Sequence, residues 1–172
     1  SAAAQASAAL ERLRDVQDKL ARGQAGRAER DIKDAARKAA EAAREHQQLQ
    51  DDTARAAQSG GLGKAEDVGR LAERKDALEG KLSDLEKQLD RTAMGIRRDE
   101  RDAARRLQEA ADGIRDDKLK EKVRYSKGLM RSASPDQRKA FDEDITKGLD
   151  ALQRKVDEAA RALGHKTEDR LG

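Results

Sequence analysis

Apolar residues recur at alternating spacings of three and four between Val68 and Leu89, and only Lys75 interrupts this stripe. Its members are Val68, Leu71, Leu78, Leu82, Leu85 and Leu89. Such spacing keeps one face of a helix turned toward a partner helix and is typical of coiled coils. A second stripe with the same spacing, made mostly of alanine, runs from Ala28 to Ala56. Both segments are therefore predicted to be helices that pair through these stripes.

The N-terminal part of the chain predicts two helices. Glycine weakens the interior of a helix, so Gly23 and Gly26 are expected to separate a helix over residues 3–22 from one over residues 27–58. Together these helices make a first arm, residues 1–58. The first helix carries a short stripe of its own, formed by Leu10, Leu13, Gln17 and Leu20.

Residues 59–63 hold three glycines and predict the sharpest turn in the chain. A long helix is expected to follow over 64–131, with a kink or a break near 113–117. Because the segments on either side of the turn are similar in length, they can pair as an antiparallel hairpin. The heptad phase changes between Ile96 and Ala103, opposite the glycine pair of the first arm. We interpret this change as a stutter, which locally unwinds a coiled coil.

The strongest helix start in the sequence lies at Ser134-Pro135, where Gln137 completes a capping box. A return helix is predicted over 135–163, with Gly164 at its end and a tail over 164–172. If this helix folds back over residues of about 103 to 131, a short three-helix bundle forms there. The predicted fold is all-α: one elongated helical domain, an antiparallel coiled-coil hairpin whose C-terminal helix folds back into that bundle.

The composition favours a long, thin molecule. Aromatic residues are 1% of the chain, charged residues are 42% and the mean hydropathy is -1.06. The chain therefore has few of the large aromatic side chains that usually fill a globular core. Such a composition is also typical of proteins that stay unfolded until they are dried or bound. The single proline and the regular leucine stripe favour folded helices instead.

The sequence offers no convincing catalytic or metal-binding motif. There is no cysteine, and no apolar run approaches the roughly 18 residues that span a bilayer. His46 lies on the alanine stripe, but Ala43 stands where a Glu-x-x-His di-iron motif needs glutamate. We expect His46 to set the helix register, and His165 to lie in a fraying tail. Neither an enzyme activity nor a cofactor nor a metal is predicted.

A basic segment offers the best lead to a binding surface. Nine bases and four acids lie between Arg115 and Lys139, so this stretch has a charge of +5 in a chain of +3. Such a surface can bind nucleic acid phosphate, lipid headgroups or an acidic protein. The alternative is an ordinary helix hairpin with a solvated charged face. The candidate residues are Lys118, Lys120, Lys122, Arg124, Tyr125, Lys127, Arg131, Arg138 and Lys139.

Two segments rich in alanine, arginine and glutamate, residues 27–46 and 107–130, carry a resemblance to a protein class. They resemble the long helical regions of uncharacterised bacterial membrane-anchored coiled-coil proteins. The resemblance implies an envelope scaffold and favours an extracytoplasmic location over a cytoplasmic one. The opening at Ser1 fits removal of a signal peptide and an arbitrary boundary equally well. The leading hypothesis is a non-enzymatic scaffold or interaction module that binds itself or a partner helix; the alternative is anion binding through residues 118–139.

Overall fold

A computed structural model describes the backbone of residues 1–171 and the side chains of residues 1–164. Within this part of the chain the structure contains α-helices and one short 3₁₀ turn, and no strand. The prediction of an all-α protein is therefore confirmed. The helices are α1 (Ala2–Gln58), α2 (Ala65–Ile96), α3 (Arg101–Asp116), α4 (Leu119–Ser132) and α5 (Pro135–Leu171).

The chain first reverses in the glycine-rich turn that the sequence predicts. Gly60 has a φ of 76°, a left-handed conformation that glycine adopts without steric strain, and Gly61–Gly63 form the 3₁₀ turn. Helix α2 then runs back along α1. Two ion pairs join the helices, because the Arg74 guanidinium contacts Glu45 at 3.2 Å and Asp52 at 2.6 Å.

A second reversal at residues 97–100 shows that the long helix predicted over 64–131 is wrong. The Glu100 amide donates to the carbonyl of Ile96 at 2.7 Å and closes the turn. Helix α3 then runs back along α2, so that Arg115 pairs with Asp90 at 2.8 Å. The change of heptad phase between Ile96 and Ala103 marks this turn. Our interpretation of it as a stutter within one helix is therefore wrong.

The predicted kink or break near 113–117 proves to be a break. Helix α3 ends at Asp116, and Lys118 has a φ of 52°, which interrupts the regular helix before α4 begins. Helix α4 continues in the same direction along α2, because Lys120 contacts Glu86 at 2.9 Å and Ser126 accepts a hydrogen bond from Lys75 at 2.9 Å. Helices α3 and α4 thus occupy one position in the bundle, as a single helix with a break would.

The predicted capping box at the start of α5 is confirmed. The backbone amide of Gln137 donates to the Ser134 hydroxyl at 3.2 Å, and the backbone amide of Ser134 donates to the side-chain oxygen of Gln137 at 2.9 Å. The predicted end of this helix at Gly164 is wrong, since α5 continues to Leu171. A helix-favouring sequence on both sides allows one glycine in the interior. The side chain of His165 lies outside the described residues.

The helices assemble into a bundle in which α1, α2, the α3–α4 pair and α5 follow one another around the core. This arrangement differs from the predicted elongated hairpin with a short three-helix bundle. Leucine and isoleucine fill the core where α2, α3 and α5 meet, while alanine lets α1 approach closely. The largest fully buried side chains are Ile32, Leu49, Leu78, Leu82, Leu85, Leu89, Leu107, Ile114, Leu119, Ile145, Leu149 and Val123.

Helix α1 is continuous across Gly23 and Gly26, so the predicted interruption of the first arm is wrong. Each glycine lowers helix stability by about 1 kcal/mol relative to alanine, which does not end a helix by itself. Ser1 caps the start of the helix, because its hydroxyl accepts a hydrogen bond from the Ala4 amide at 3.2 Å. As a result, the N-terminal stripe and the alanine stripe of the bundle lie on one uninterrupted helix.

Candidate helix-docking surface

The N-terminal part of α1 projects beyond the end of α2 and exposes a stripe of apolar side chains. Burial along α1 begins at Ala28, and no side chain of residues 1–24 is buried. At 1.5 Å per residue, this N-terminal extension (residues 2–24) is about 35 Å long. Its large apolar side chains remain half-exposed: Leu10 at 50%, Leu13 at 60%, Val16 at 54% and Leu20 at 58%.

The bundle supports the helical conformation of the N-terminal extension. A short helix in water is marginal because its first turn is difficult to nucleate, whereas adding turns to an existing helix is favourable. Residues 28–58 of α1 are held by α2 and α5 and supply the existing helix. Alanine is abundant in the extension and has the highest helix propensity. The extension therefore presents its stripe in a fixed direction.

The exposed stripe lies on the same side of α1 as the bundle core. Leu10 lies about five helical turns before the buried Ala28, and Leu13 lies about ten turns before the buried Leu49. At 3.6 residues per turn, whole turns return a side chain to the same face. The apolar face of α1 thus continues past the point where α2 stops covering it.

The basic segment that the sequence singled out is largely paired within the bundle. Lys120 contacts Glu86 at 2.9 Å and Lys122 contacts Asp144 at 2.8 Å. Two further ion pairs join Arg124 to Glu79 and Lys127 to Asp76. The acids belong to α2 and α5, so a count of charges along the segment itself could not reveal them.

The other candidate residues of the basic segment do not form one patch of free charge. The Arg138 guanidinium donates to the carbonyl of Ala133 at 2.9 Å. Tyr125 is 64% exposed, and its ring packs at a tilt against Phe141 with 5.4 Å between ring centroids. Lys118, Arg131 and Lys139 are exposed and make no ion pair with any side chain among residues 1–164.

A polar layer crosses the core beneath the end of α4. The Lys75 ammonium, 6% exposed, donates to the Ser126 hydroxyl at 2.9 Å. Burial lowers the pKa of Lys75, although the nearby Asp142 carboxylate opposes that shift. Burial also raises the pKa of Asp142, against the attraction of Lys75, His46 and Arg138. In the described part of the chain, no carboxylate oxygen lies within 4.0 Å of the Lys75 ammonium.

His46 belongs to the same polar layer, as its place on the alanine stripe suggests. The ring is 4% exposed, and its Nε2 lies 3.1 Å from the carbonyl oxygen of Asp142. The tautomer with its proton on Nε2 donates this hydrogen bond and joins α1 to α5. Burial lowers the pKa of His46. The ring is therefore a buried side chain that links α1 to α5 through this hydrogen bond.

A groove opens to solvent above the polar layer, between the C-terminal third of α1 and the start of α5. Its volume is about 720 Å³, and charged or amide side chains line most of it. Thr53 and Asp142 line both this groove and a small inner cavity of about 10 Å³ beside Lys75. The Thr53 hydroxyl is buried and has no hydrogen-bond partner among residues 1–164. Thr53 and Asp142 therefore connect the groove to the polar layer.

The hydrogen bonds of the polar layer run from Lys75 through Ser126 to the main chain. A serine nucleophile must give its proton to the lysine amine, but here Lys75 donates to Ser126. The Ser126 hydroxyl directs its own proton to the carbonyl of Val123 at 2.7 Å. Among the described residues, no group of three His, Cys, Asp or Glu side chains is placed to hold a metal ion. The layer is best described as a structural network.

Comparison with known proteins assigns neither a family nor a function to this chain. No protein family, curated protein or solved structure matches this chain. The resemblance to bacterial membrane-anchored coiled-coil proteins therefore stays a prediction. Among the described helices, none combines the length and the apolar character needed to cross a membrane. The strongest candidate for a binding surface is the exposed stripe of Leu10, Leu13, Val16 and Leu20.

Proposed function

We propose that this chain is a non-enzymatic interaction module, in which a helical bundle holds out the N-terminal extension for docking of an apolar helix. The observation that carries the proposal is the stripe of four large apolar side chains, each at least half exposed, on a helix that the bundle anchors. Single exposed leucines are common on protein surfaces, whereas a contiguous apolar stripe marks an interaction site.

The expected mode of docking is a short coiled coil. The positions Ala3, Ala6, Leu10, Leu13, Gln17 and Leu20 alternate in steps of three and four, as the two seam positions of a heptad do, and Val16 lies beside this seam. A partner with the same spacing can place its side chains between them as knobs into holes. The glutamine in this series gives the seam one polar site, which restricts the partners that fit in register. We therefore assign coiled-coil pairing with a partner to the seam of the N-terminal extension.

The energetics favour a reversible interaction. Full burial of a leucine or valine side chain contributes about 1.5–3 kcal/mol, and these four are already about half buried. Completing their burial would contribute about 1 kcal/mol each, or about 8 kcal/mol with an equal stripe on the partner. The loss of free motion on association costs about 4–15 kcal/mol. At the lower end of that cost the net gain is about 4 kcal/mol, which corresponds to a Kd of about 1 mM, and further contacts at the interface would tighten the complex.

A scaffold role follows from this arrangement. The bundle fixes the direction of the extension, and reversible docking lets the chain join or space other helices. On the sequence resemblance, we further propose that it belongs to the extracytoplasmic part of a larger bacterial protein. Binding of anions through residues 118–139 is the less favoured alternative, because Lys120, Lys122, Arg124 and Lys127 already have carboxylate partners.

A displayed library of helical peptides with randomised seam positions would test the interaction function. We expect selection against the 172-residue chain to enrich peptides with leucine at three-four spacing. The enriched peptides should lose binding to the variant Leu13→Glu/Leu20→Glu, because the new carboxylates would be buried in the interface without partners. When a selected peptide binds, amide hydrogen exchange should slow in the N-terminal extension and stay unchanged in the rest of the chain.

The matched control is Ala4→Glu/Ala8→Glu, which adds the same charge to the opposite side of the same helix. This variant should bind the selected peptides as the parent chain does. Circular dichroism must show equal helix content for both variants. Peptides that bind the stripe variant and the parent equally, or a library that yields no binder, would contradict the proposed function.

A further inference from the structure

We infer that the partner of the N-terminal extension is a second copy of this chain, docked antiparallel with Leu10 and Leu13 beside the two-fold axis. The inference rests on the proposed function, since it names the occupant of the same stripe. In such an isologous dimer, one surface serves both copies, and each exposed leucine can be covered by the same stripe of the partner. The two bundles would lie at opposite ends of a central pair of helices.

The direction of pairing follows from the position of the bundle. The stripe lies on the core side of α1, and past Ala28 that side is filled by α2 and α5. In a parallel dimer the second α1 would run along this side into the space that those helices occupy. In an antiparallel dimer the second α1 runs away from the bundle. Only the antiparallel direction lets both extensions pair over their whole length.

The register follows from side-chain size. When facing residues have numbers that sum to about 23, Leu10 faces the partner's Leu13 and Leu20 faces the partner's Ala3. Ala6 then faces the partner's Gln17, so small residues oppose large ones along the outer parts of the pair. Alternation of large and small side chains fills a helix interface without voids. The pairing also ends near residue 22, just before Gln24 reaches the groove that it lines with α2.

Charge supports a second copy over an oppositely charged partner. The extension carries Glu11, Asp15 and Asp18 against Arg12, Arg14, Lys19 and Arg22, a nearly balanced set. The positions that flank the seam are mostly small and neutral, and Arg14 is the one charged residue at a flank within residues 2–23. In the proposed register Arg14 lies nearest the partner's Ser7. The next register, with a sum of about 30, would bring the two Arg14 side chains together, which is unfavourable.

Sedimentation equilibrium of the 172-residue chain at concentrations up to about 1 mM is the first test. We expect a reversible dimer, and we expect Leu10→Glu/Leu13→Glu to abolish it over this concentration range, because like charges meet near the axis. The control Ala4→Glu/Ala8→Glu should dimerise as the parent chain does. A parent chain that is monomeric throughout, or a dimer that the stripe variant leaves unchanged, would overturn the inference.

Cysteine cross-linking tests the direction and the register, and it is clean because the chain has no cysteine of its own. In the proposed register, Ala6→Cys and Gln17→Cys should form a disulfide only when the two variants are mixed. A disulfide formed by either variant alone would show a parallel pair and overturn the arrangement. If the chain is monomeric but selected peptides still bind its stripe, the second copy is excluded and the interaction function stands; if both fail, both proposals fall.

Discussion

Replacement of Lys75 by methionine should stabilise the folded chain, although lysine forms a hydrogen bond there. Lys75 is 6% exposed, and its ammonium makes one hydrogen bond, to Ser126. An ammonium has three donors, so two of them find no acceptor in the described part of the chain. Methionine has a similar length and no charge, and it would complete the apolar stripe of α2. Ser126 would keep its hydrogen bond to Val123.

The expected gain is about 1–3 kcal/mol at about pH 7. A buried ammonium without a carboxylate partner costs free energy that an apolar side chain of similar volume does not, and exchange of whole buried ion pairs for apolar residues is often neutral or stabilising by about 1–4 kcal/mol. The lower part of this range applies because Asp142, whose carboxylate attracts Lys75, would lose a nearby positive charge. The corresponding rise in melting temperature is about 2–4 °C for each kcal/mol in a chain of this size. Lys81→Met changes an exposed lysine on the same helix and should alter stability by less than about 0.5 kcal/mol.

Urea unfolding followed by far-UV circular dichroism, at several pH values, would measure this effect. Burial lowers the pKa of Lys75 below its ordinary 10.5, so the folded chain binds fewer protons there than the unfolded chain. Wild-type stability should therefore rise between the lowered pKa and 10.5, and the advantage of Lys75→Met should shrink over the same range. A loss of more than about 1 kcal/mol in Lys75→Met at neutral pH would refute the reasoning, because it would show that the polar layer is net stabilising.

Two further perturbations test the core and the histidine. Leu82→Ala should lower the free energy of unfolding by about 2–5 kcal/mol in the same urea assay, because Leu82 is fully buried, whereas Met94→Ala, at a side chain that is 75% exposed, should change it by less than about 0.5 kcal/mol. Equal effects of the two changes would contradict the bundle. Burial lowers the pKa of His46 below 6.5, so the wild type should lose stability relative to His46→Gln as the pH falls from about 7 toward that lowered pKa. Parallel pH profiles would show that His46 does not titrate as a buried group.

The sequence by itself determined the local features of this fold. The three-four spacing fixed which faces of the helices would be apolar, because a side chain returns to the same face after each whole turn. The turn at residues 59–63 was evident because glycine both weakens helices and adopts the left-handed conformation of Gly60. The start of α5 was evident because the capping box at Ser134 is satisfied by residues three positions apart. Each of these signals depends on neighbours along the chain.

Only the tertiary structure decided how the helices are arranged. The turn at residues 97–100 contains neither glycine nor proline, and the change of heptad phase beside it fits a stutter and a reversal equally well. Packing of α3 against α2 and α5 selects the reversal, because it buries Leu107 and Ile114 completely. The choice depends on contacts between residues far apart in the chain, which a periodic pattern does not encode.

The candidate surfaces depended on the same distant contacts. The basic segment looked unpaired in the sequence because its carboxylate partners, such as Glu79 and Glu86, lie on another helix. The stripe of Leu10 and Leu13 has the same spacing as stripes that are buried, so periodicity predicted a pairing face without telling whether it is covered. Burial is a property of what packs against a face. The sequence therefore determined where the apolar faces lie, and the fold decided which of them is left for a partner.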